Sequence, residues 1–483
     1  MTTTTPDRLM LIDNEWCAAE SNEWLESINP ATEERTGRVP SATRADVHRA
    51  VEAAARAQAG WAALSVWERA AKLRALAAAI RARGPEILQL EASDTGNTIG
   101  KLAADVQIAA GYLEYFAGLA SEIKGETVPA TAKGLHFTLR EPWGVVARIV
   151  PFNHPFMFAA AHLAAPLLAG NAVVLKTPET SPLSGSLLGE LCREILPPGV
   201  VNIIHGLGMP AGDALVRHPD VRRIGFTGSV ATGLAIQRAA AESAVKCVTL
   251  ELGGKNPLIV FPDANVDAGV DAAIAGMNFS WAGQSCGSTS RLLVHESLYA
   301  SFVERIAQRL RSLKLGDPLN PASEMGPLNS RRQYQRVLGF IESARTDGAR
   351  LVTGGRRPPG EAFKRGFWIE PTLYADVTPV MRVASEEVFG PIVCAMPWSS
   401  EAQALQLANS TEYGLTASVW TRDLATAMRC IRALQAGVVW VNGSGQHFVG
   451  TPFGGWKNSG LGGEECLEEL LSYTQVKSAH VLS

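Results

Sequence analysis

The sequence predicts an α/β fold built on parallel sheets and shared among two or three domains. Its 483 residues exceed the usual span of one domain and can bury a large core. From Ala172 onward, short runs rich in β-branched residues alternate with helical runs, as in strands joined by right-handed helical crossovers. A second alternating set begins near Asn256, past the glycines Gly253-Gly254. In sheets of this kind ligands gather at the carboxyl ends of the strands.

Taken in order, residues from about Ser41 to Gly125 are alanine-rich with helical spacing. Ala50, Ala54, Ala55 and Trp61 share one predicted face, and Leu73, Leu76 and Ile80 another. Asp94-Thr95-Gly96 punctuates this run. Leu135 to Val150 turns strand-like around Pro142-Trp143-Gly144 and predicts a hairpin leaving the body. The first alternating set predicts strands Ala172–Leu175, Val200–Ile204, Arg223–Phe226 and Cys247–Leu250, with helices Ser184–Ile195, Ala211–Arg217 and Ala231–Ala241. The second predicts strand Leu258–Phe261, helix Val266–Phe279, strand Arg291–Val294, helix Leu298–Leu313, strand Ile392–Ala395 and helix Ala402–Ala408. The segment that ends the chain, around Tyr473-Thr474-Gln475-Val476-Lys477, reads as one more strand.

Composition excludes several classes. The formal net charge is -3 with both signs spread along the chain, so no nucleic-acid or anionic-membrane surface is expected. Cys17, Cys192, Cys247, Cys286, Cys394, Cys430 and Cys466 are odd in number and form no C-x-x-C pair. That argues against a disulfide framework or a structural zinc site and for a reducing compartment, with no metal expected and a cytoplasmic setting. Met1–Pro6 lacks the basic start and apolar stretch of a secretory leader. Phe156 to Leu175 is apolar, but His162, Pro166, Gly170 and Asn171 break it into a short buried helix and a strand rather than a membrane span.

Five stretches carry chemistry, each with a bland counterpart. Gly225-Phe226-Thr227-Gly228-Ser229 runs a strand through a glycine turn into a helix, a place for a phosphate or a plain packing turn. Its spacing is not G-x-G-x-x-G. Lys176 and Glu179 follow a strand, where they can bind ribose hydroxyls or simply face water. Pro151-Phe152-Asn153-His154-Pro155 holds an amide rigidly, as an oxyanion donor or an Asx turn. Glu251 ends an apolar strand before Gly253, as a general base of raised pKa or as a partner of Lys255. Cys286 lies in the small-residue loop Gly283 to Thr289, where a thiolate could meet a ligand; the other six cysteines read as packing groups.

Together and in this order, these stretches resemble the NAD(P)-dependent aldehyde dehydrogenase superfamily. The resemblance runs from about Trp16 to Val476 and rests on Pro151–Pro155, Leu175–Pro182, Phe226–Gly233, Leu250–Pro257, Gly283–Cys286, Glu387–Pro391 and Pro452–Gly462. It implies that Cys286 attacks an aldehyde carbon and that the Asn153 amide and the Cys286 backbone N–H hold the oxyanion. Hydride would pass to the nicotinamide, and Glu251 would activate the water that hydrolyses the thioester. Lys176 and Glu179 would contact the adenosine ribose, Ser229 the pyrophosphate beside Gly228, and Glu387 the nicotinamide ribose. Phe389 would pack beside the nicotinamide, with Phe152 and Gly253 completing the cofactor site. Glu179 favours NAD, since a carboxylate repels a 2′-phosphate, while Lys176 leaves room for NADP.

The resemblance also implies a Rossmann-like cofactor domain over 1-123, 143-254 and 452-468. An α/β catalytic domain covers 255-451, and a small β oligomerisation extension covers 124-142 and 469-483, pairing subunits into a homodimer or homotetramer. Phe152 and His154 depart from the family pattern, as does Gly463-Glu464 after Gly460-Leu461-Gly462. Gly283 to His295 resembles the betaine and amino-aldehyde branch, but an aromatic cage for a cation is not recognisable at His154. The expected substrate tunnel includes Phe152, His154, Phe158, Trp281, Ser285, Gly287 and Phe448; it lacks a basic residue and favours a neutral apolar or aromatic aldehyde. Acyl transfer to coenzyme A, a cysteine esterase and a non-enzymatic protein on the same scaffold are the alternatives. The carboxylate of Glu251 speaks against acyl transfer to coenzyme A.

Overall fold

The computed structural model describes residues 7–482. Met1–Pro6, read above for a leader, and Ser483 lie outside the described residues. The first sheet has eight strands, in the order Glu15–Cys17, Met10–Ile12, Val201–Ile204, Ala172–Lys176, Val145–Ile149, Val221–Thr227, Cys247–Glu251 and Gly460–Leu461. Its strands from Val201–Ile204 to Cys247–Glu251 run parallel, and the edges are antiparallel. Ala172–Lys176 and Val201–Ile204 are buried along their whole length. They therefore carry continuous apolar runs rather than alternation, as sheets covered on both faces require. Helices Val66–Ala82, Ile99–Gly118 and Leu183–Ile195 pack on one face. Arg44–Ala63 and Val230–Ser243 pack on the other.

The second sheet has seven strands, in the order Arg350–Thr353, Thr372–Ala375, Ile392–Trp398, Arg291–His295, Pro257–Val260, Thr416–Trp420 and Val438–Val441. All its pairs are parallel except the first. It has its own core, from Leu258 to Leu434.

The Leu135–Val150 stretch is not a hairpin. Gly134–Pro142 pairs antiparallel with Thr474–Leu482 in a two-stranded ribbon, whereas Val145–Ile149 lies in the middle of the first sheet. Gly144, at φ 106, turns the chain between them. Sequence neighbours were expected to pair, but the chain end supplies the partner strand. Ala55 points to solvent while Ala53 is buried beside Ala50, Ala54 and Trp61. The apolar Phe156 to Leu175 stretch forms two short helices, Pro155–Ala161 and Ala164–Leu168, before its strand. Among the described residues no helix is long and apolar enough to cross a membrane. The helix expected to reach Phe279 stops at Gly276. Asn278 then takes a left-handed conformation at φ 56, which asparagine tolerates, and sends the chain into the turn Phe279–Trp281 ahead of Cys286.

Candidate active site

In the first sheet the strand order reverses at Val145–Ile149: the chain steps outward through Ala172–Lys176 and Val201–Ile204, then returns to the other side as Val221–Thr227. A crevice opens at such a reversal, at the carboxyl ends. Asn153, Lys176, Gly228, Ser229 and Glu251 all lie at or just past those ends. The second sheet contributes from its amino edge. Cys286 precedes the strand Arg291–His295, and Glu387 and Phe389 precede Ile392–Trp398. The join between sheets is the buried segment Leu252–Asn256. The fully buried Ser459 clamps it: the Leu252 N–H donates to the Ser459 carbonyl (2.8 Å), and the Ser459 hydroxyl donates to the Gly253 carbonyl (2.7 Å).

Gly254 touches both halves. Its N–H donates to Glu387 Oε1 at 3.0 Å, and a Cβ there would lie 2.8 Å from the Cys286 carbonyl oxygen. That carbonyl accepts from Asn256 Nδ2 at 2.7 Å. Burial pushes the Cys286 thiol up to about 12, with Glu387 and then Glu251 adding to the shift against the backbone N–H groups of Gly287 and Cys286. The sulfur is a neutral thiol in this state, within electrostatic reach of two carboxyls.

Glu251 is 5 % exposed, and neither carboxyl oxygen has a hydrogen-bond partner among the described residues. Lys255 Nζ is equally unpartnered, so the two do not pair. Burial holds the Glu251 carboxyl well above its usual range, and Glu464, Glu465 and Glu469 push further while Arg148 opposes them. Arg148 is itself fully buried, donating to Glu464 Oε1 at 2.9 Å and to the Tyr473 hydroxyl at 2.8 Å. His162, Glu464 and Glu469 offer ligand atoms within 4.8 Å of one another, and the Arg148 guanidinium already supplies a cation there.

Asn153 is buried, and Asn97 Nδ2 donates to its carbonyl at 2.7 Å. Its own amide makes no hydrogen bond among the described residues, and Oδ1 is sealed from solvent. A spare amide held by its backbone suits an oxyanion donor.

The donor set at the strand ends fits a dinucleotide. The buried Lys176 ammonium spends one hydrogen bond on the Thr177 carbonyl (3.1 Å), and burial pulls it down to about 8 although Glu179 pulls the other way. Glu179 Oε1 accepts from Arg332 at 3.0 Å across a solvent-facing contact. Ser229 caps the helix Val230–Ser243, accepting from Thr232 N, and leaves a helix N-terminus at the crevice. A Cβ at Gly228 would lie 2.4 Å from the Phe226 ring, and one at Gly253 would lie 2.2 Å from Glu387 Oε2. A side chain at either position would have to displace that ring or that carboxylate. Burial lifts Glu387 to about 7 against the Gly254 N–H. Phe389, at φ 57, packs edge-on to Phe152 at 5.6 Å.

Of the expected tunnel residues, His154, Phe158 and Trp281 come together: the His154 ring is 4.9 Å from Trp281 and 5.8 Å from Phe158. Ser285 lines a small cavity with Gly254, Glu387 and Phe389. A Cβ on Gly287 would have only Ser285 Oγ near it, at 3.9 Å. Phe448 does not join the aromatic group; it is 64 % exposed. Sequence reasoning missed Asp105, which accepts from His154, and Asn97, Asn256, Arg148 and Arg332. Only Asn256 had a signal, its place in the Leu250–Pro257 stretch.

Comparison with known proteins agrees with this geometry. The model of the aldehyde dehydrogenase family matches residues 16–479. "Aldehyde dehydrogenase tropH" of Talaromyces stipitatus is 45 % identical, over 98 % of this chain and 93 % of the relative. "Aminoaldehyde dehydrogenase 2, peroxisomal" of Pisum sativum is 44 % identical, over 98 % and 95 %. The solved NAD+ complex of an aldehyde dehydrogenase from Bacillus cereus superposes with a TM-score of 0.95 at 37 % identity, over 99 % of this chain and 96 % of that one.

Proposed function

Since the chain belongs to the aldehyde dehydrogenase family, we propose that it oxidises a neutral apolar or aromatic aldehyde to the free acid with NAD as acceptor. The observation that carries the hydrolytic reading is Glu251: buried, unpartnered and electrostatically coupled to Cys286. Cys286 loses its proton to solvent and attacks the carbonyl carbon as the thiolate, the C=O π pair moving onto oxygen as the thiohemiacetal oxyanion. The spare Asn153 amide and the Cys286 N–H stabilise the oxyanion, from which alone hydride can depart. A bound nicotinamide would supply the hydride acceptor at this point. Glu251 then takes a proton from the water that cleaves the thioester.

Lys176, Glu179, Ser229, Gly228, Gly253, Glu387, Phe152 and Phe389 hold the dinucleotide in this reading. Asn153→Ala is expected to lower kcat about 100- to 1000-fold by removing one oxyanion donor, read by steady-state NADH formation. Glu179→Gln is expected to raise the NADP:NAD ratio of kcat/KM about 10-fold, because one repulsive charge leaves the 2′ position. An unchanged ratio would remove Glu179 from cofactor choice.

Product analysis with and without coenzyme A tests the reading. Free acid independent of coenzyme A supports hydrolysis, and an acyl thioester product supports transfer. Ester cleavage without aldehyde-dependent NADH would favour the esterase.

The domain division 1-123, 143-254 and 452-468 against 255-451 is supported by the two separate sheets and cores. The ribbon Gly134–Pro142 with Thr474–Leu482 exposes Leu135, Leu139, Val476 and Val481, apolar groups suited to pairing subunits into a dimer or tetramer. Cysteine usage supports a reducing compartment such as the cytoplasm; the pea relative's name assigns that protein to peroxisomes.

A further inference from the structure

His154 departs from the family pattern, and the structure shows what accompanies it. Its Nδ1 lies 2.8 Å from Asp105 Oδ2, a carboxylate on the helix Ile99–Gly118. The two side chains are only 14 % and 8 % exposed. Trp281 lies across the imidazole at 39°, and Phe158 meets it edge-on at 90°. Trp281 stands five positions before Cys286 in the chain, so this group adjoins the nucleophile loop. His154 Nε2 has no partner among the described residues, yet it is not sealed from solvent. Trp281 Nε1 is buried and has no partner among the described residues. A ligand at this point would meet flat aromatic walls and one open polar atom, His154 Nε2.

The Asp105 carboxylate accepts Nδ1–H and so fixes Nε2 as the atom that meets a ligand. In the neutral ring Nε2 accepts a hydrogen bond; in the imidazolium it donates one. A hydroxyl complements both forms, because it donates and accepts. A carboxylate complements only the imidazolium, and a quaternary ammonium offers neither donor nor acceptor. We infer that the His154–Asp105 pair selects aromatic aldehydes bearing a ring hydroxyl, with His154 touching the hydroxyl and Asp105 acting as a positioning residue. The inference rests on the reading of Cys286 as the site of aldehyde oxidation, and it narrows the substrate class within that reading.

The test compares kcat/KM for benzaldehyde, its ring-hydroxylated isomers and trimethylammonioacetaldehyde, followed by NADH formation. For the wild type, at least one hydroxybenzaldehyde should exceed benzaldehyde about 10- to 100-fold. In His154→Phe that ratio should fall toward unity, and His154→Gln, which keeps a hydrogen-bonding group, should retain part of it. Asp105→Asn should raise KM for the preferred isomer more than it lowers kcat, and Asp105→Glu should restore part of the loss. A wild type without discrimination, or one that prefers the trimethylammonium aldehyde, overturns the inference even if no variant folds. Discrimination that survives in a folded His154→Phe overturns it as well. Absence of NADH with every aldehyde counts instead against the dehydrogenase reading.

Discussion

Cys286→Ala is expected to lower aldehyde-dependent NADH formation by roughly 10⁴- to 10⁶-fold, the scale on which removal of a covalent nucleophile acts. The other six cysteines cannot stand in. Cys192, Cys394, Cys430 and Cys466 are buried, and Cys17 and Cys247 lie on strands of the first sheet away from the nucleophile loop. NAD binding, followed by quenching of tryptophan fluorescence, should survive, because the cofactor residues stand on other elements. Retained turnover in this variant would remove Cys286 from the chemistry. Loss of NAD binding together with turnover would point to misfolding around Gly254, whose backbone abuts the Cys286 carbonyl.

Glu251→Gln should separate the two halves of the reaction. Oxidation gives one burst of NADH per active subunit, and steady turnover then falls about 100- to 10,000-fold as the thioester waits for an activated water. Rapid-mixing absorbance resolves the burst, and intact-mass measurement detects the acylated chain. The pH profile carries a second sign. Burial and the carboxyls of Glu464, Glu465 and Glu469 raise the Glu251 carboxyl, so it stays protonated further toward neutral pH than an ordinary glutamate. A base works only without its proton, so thioester hydrolysis should speed up as pH rises through that raised value, and the variant should lose this dependence. Full turnover in Glu251→Gln would hand the role to another group.

The parallel cores were legible because their strands are buried on both faces and therefore written as apolar, β-branched runs, such as Ala172–Lys176. Edge strands were not: Met10–Ile12 has three residues and Gly460–Leu461 two, too few to show a period. The ribbon was misread because Gly134–Pro142 finds its partner at the far end of the chain, a pairing no local pattern encodes. At the site, Cys286, Glu251 and Asn153 could be named as candidates only together, each in a stretch of prolines or glycines whose bland alternative stayed open on its own. Asp105 was not legible, because one carboxylate on a long helix looks like a solvated charge until His154 is brought to it from 49 positions away. The group Glu464, Glu465 and Glu469 hides in the same way, since three carboxylates close together in sequence look solvated though all three are buried.

The Leu252–Asn256 junction has a mechanical consequence. These five residues carry the chain from the first sheet to the second and follow the base directly, and Gly254 and Asn256 meet the nucleophile's backbone carbonyl. A shift at this junction changes the gap between base and nucleophile directly, because both are fixed to its backbone. Heating should therefore silence turnover several degrees before far-ultraviolet circular dichroism reports lost helix, and Gly254→Ala should widen that interval.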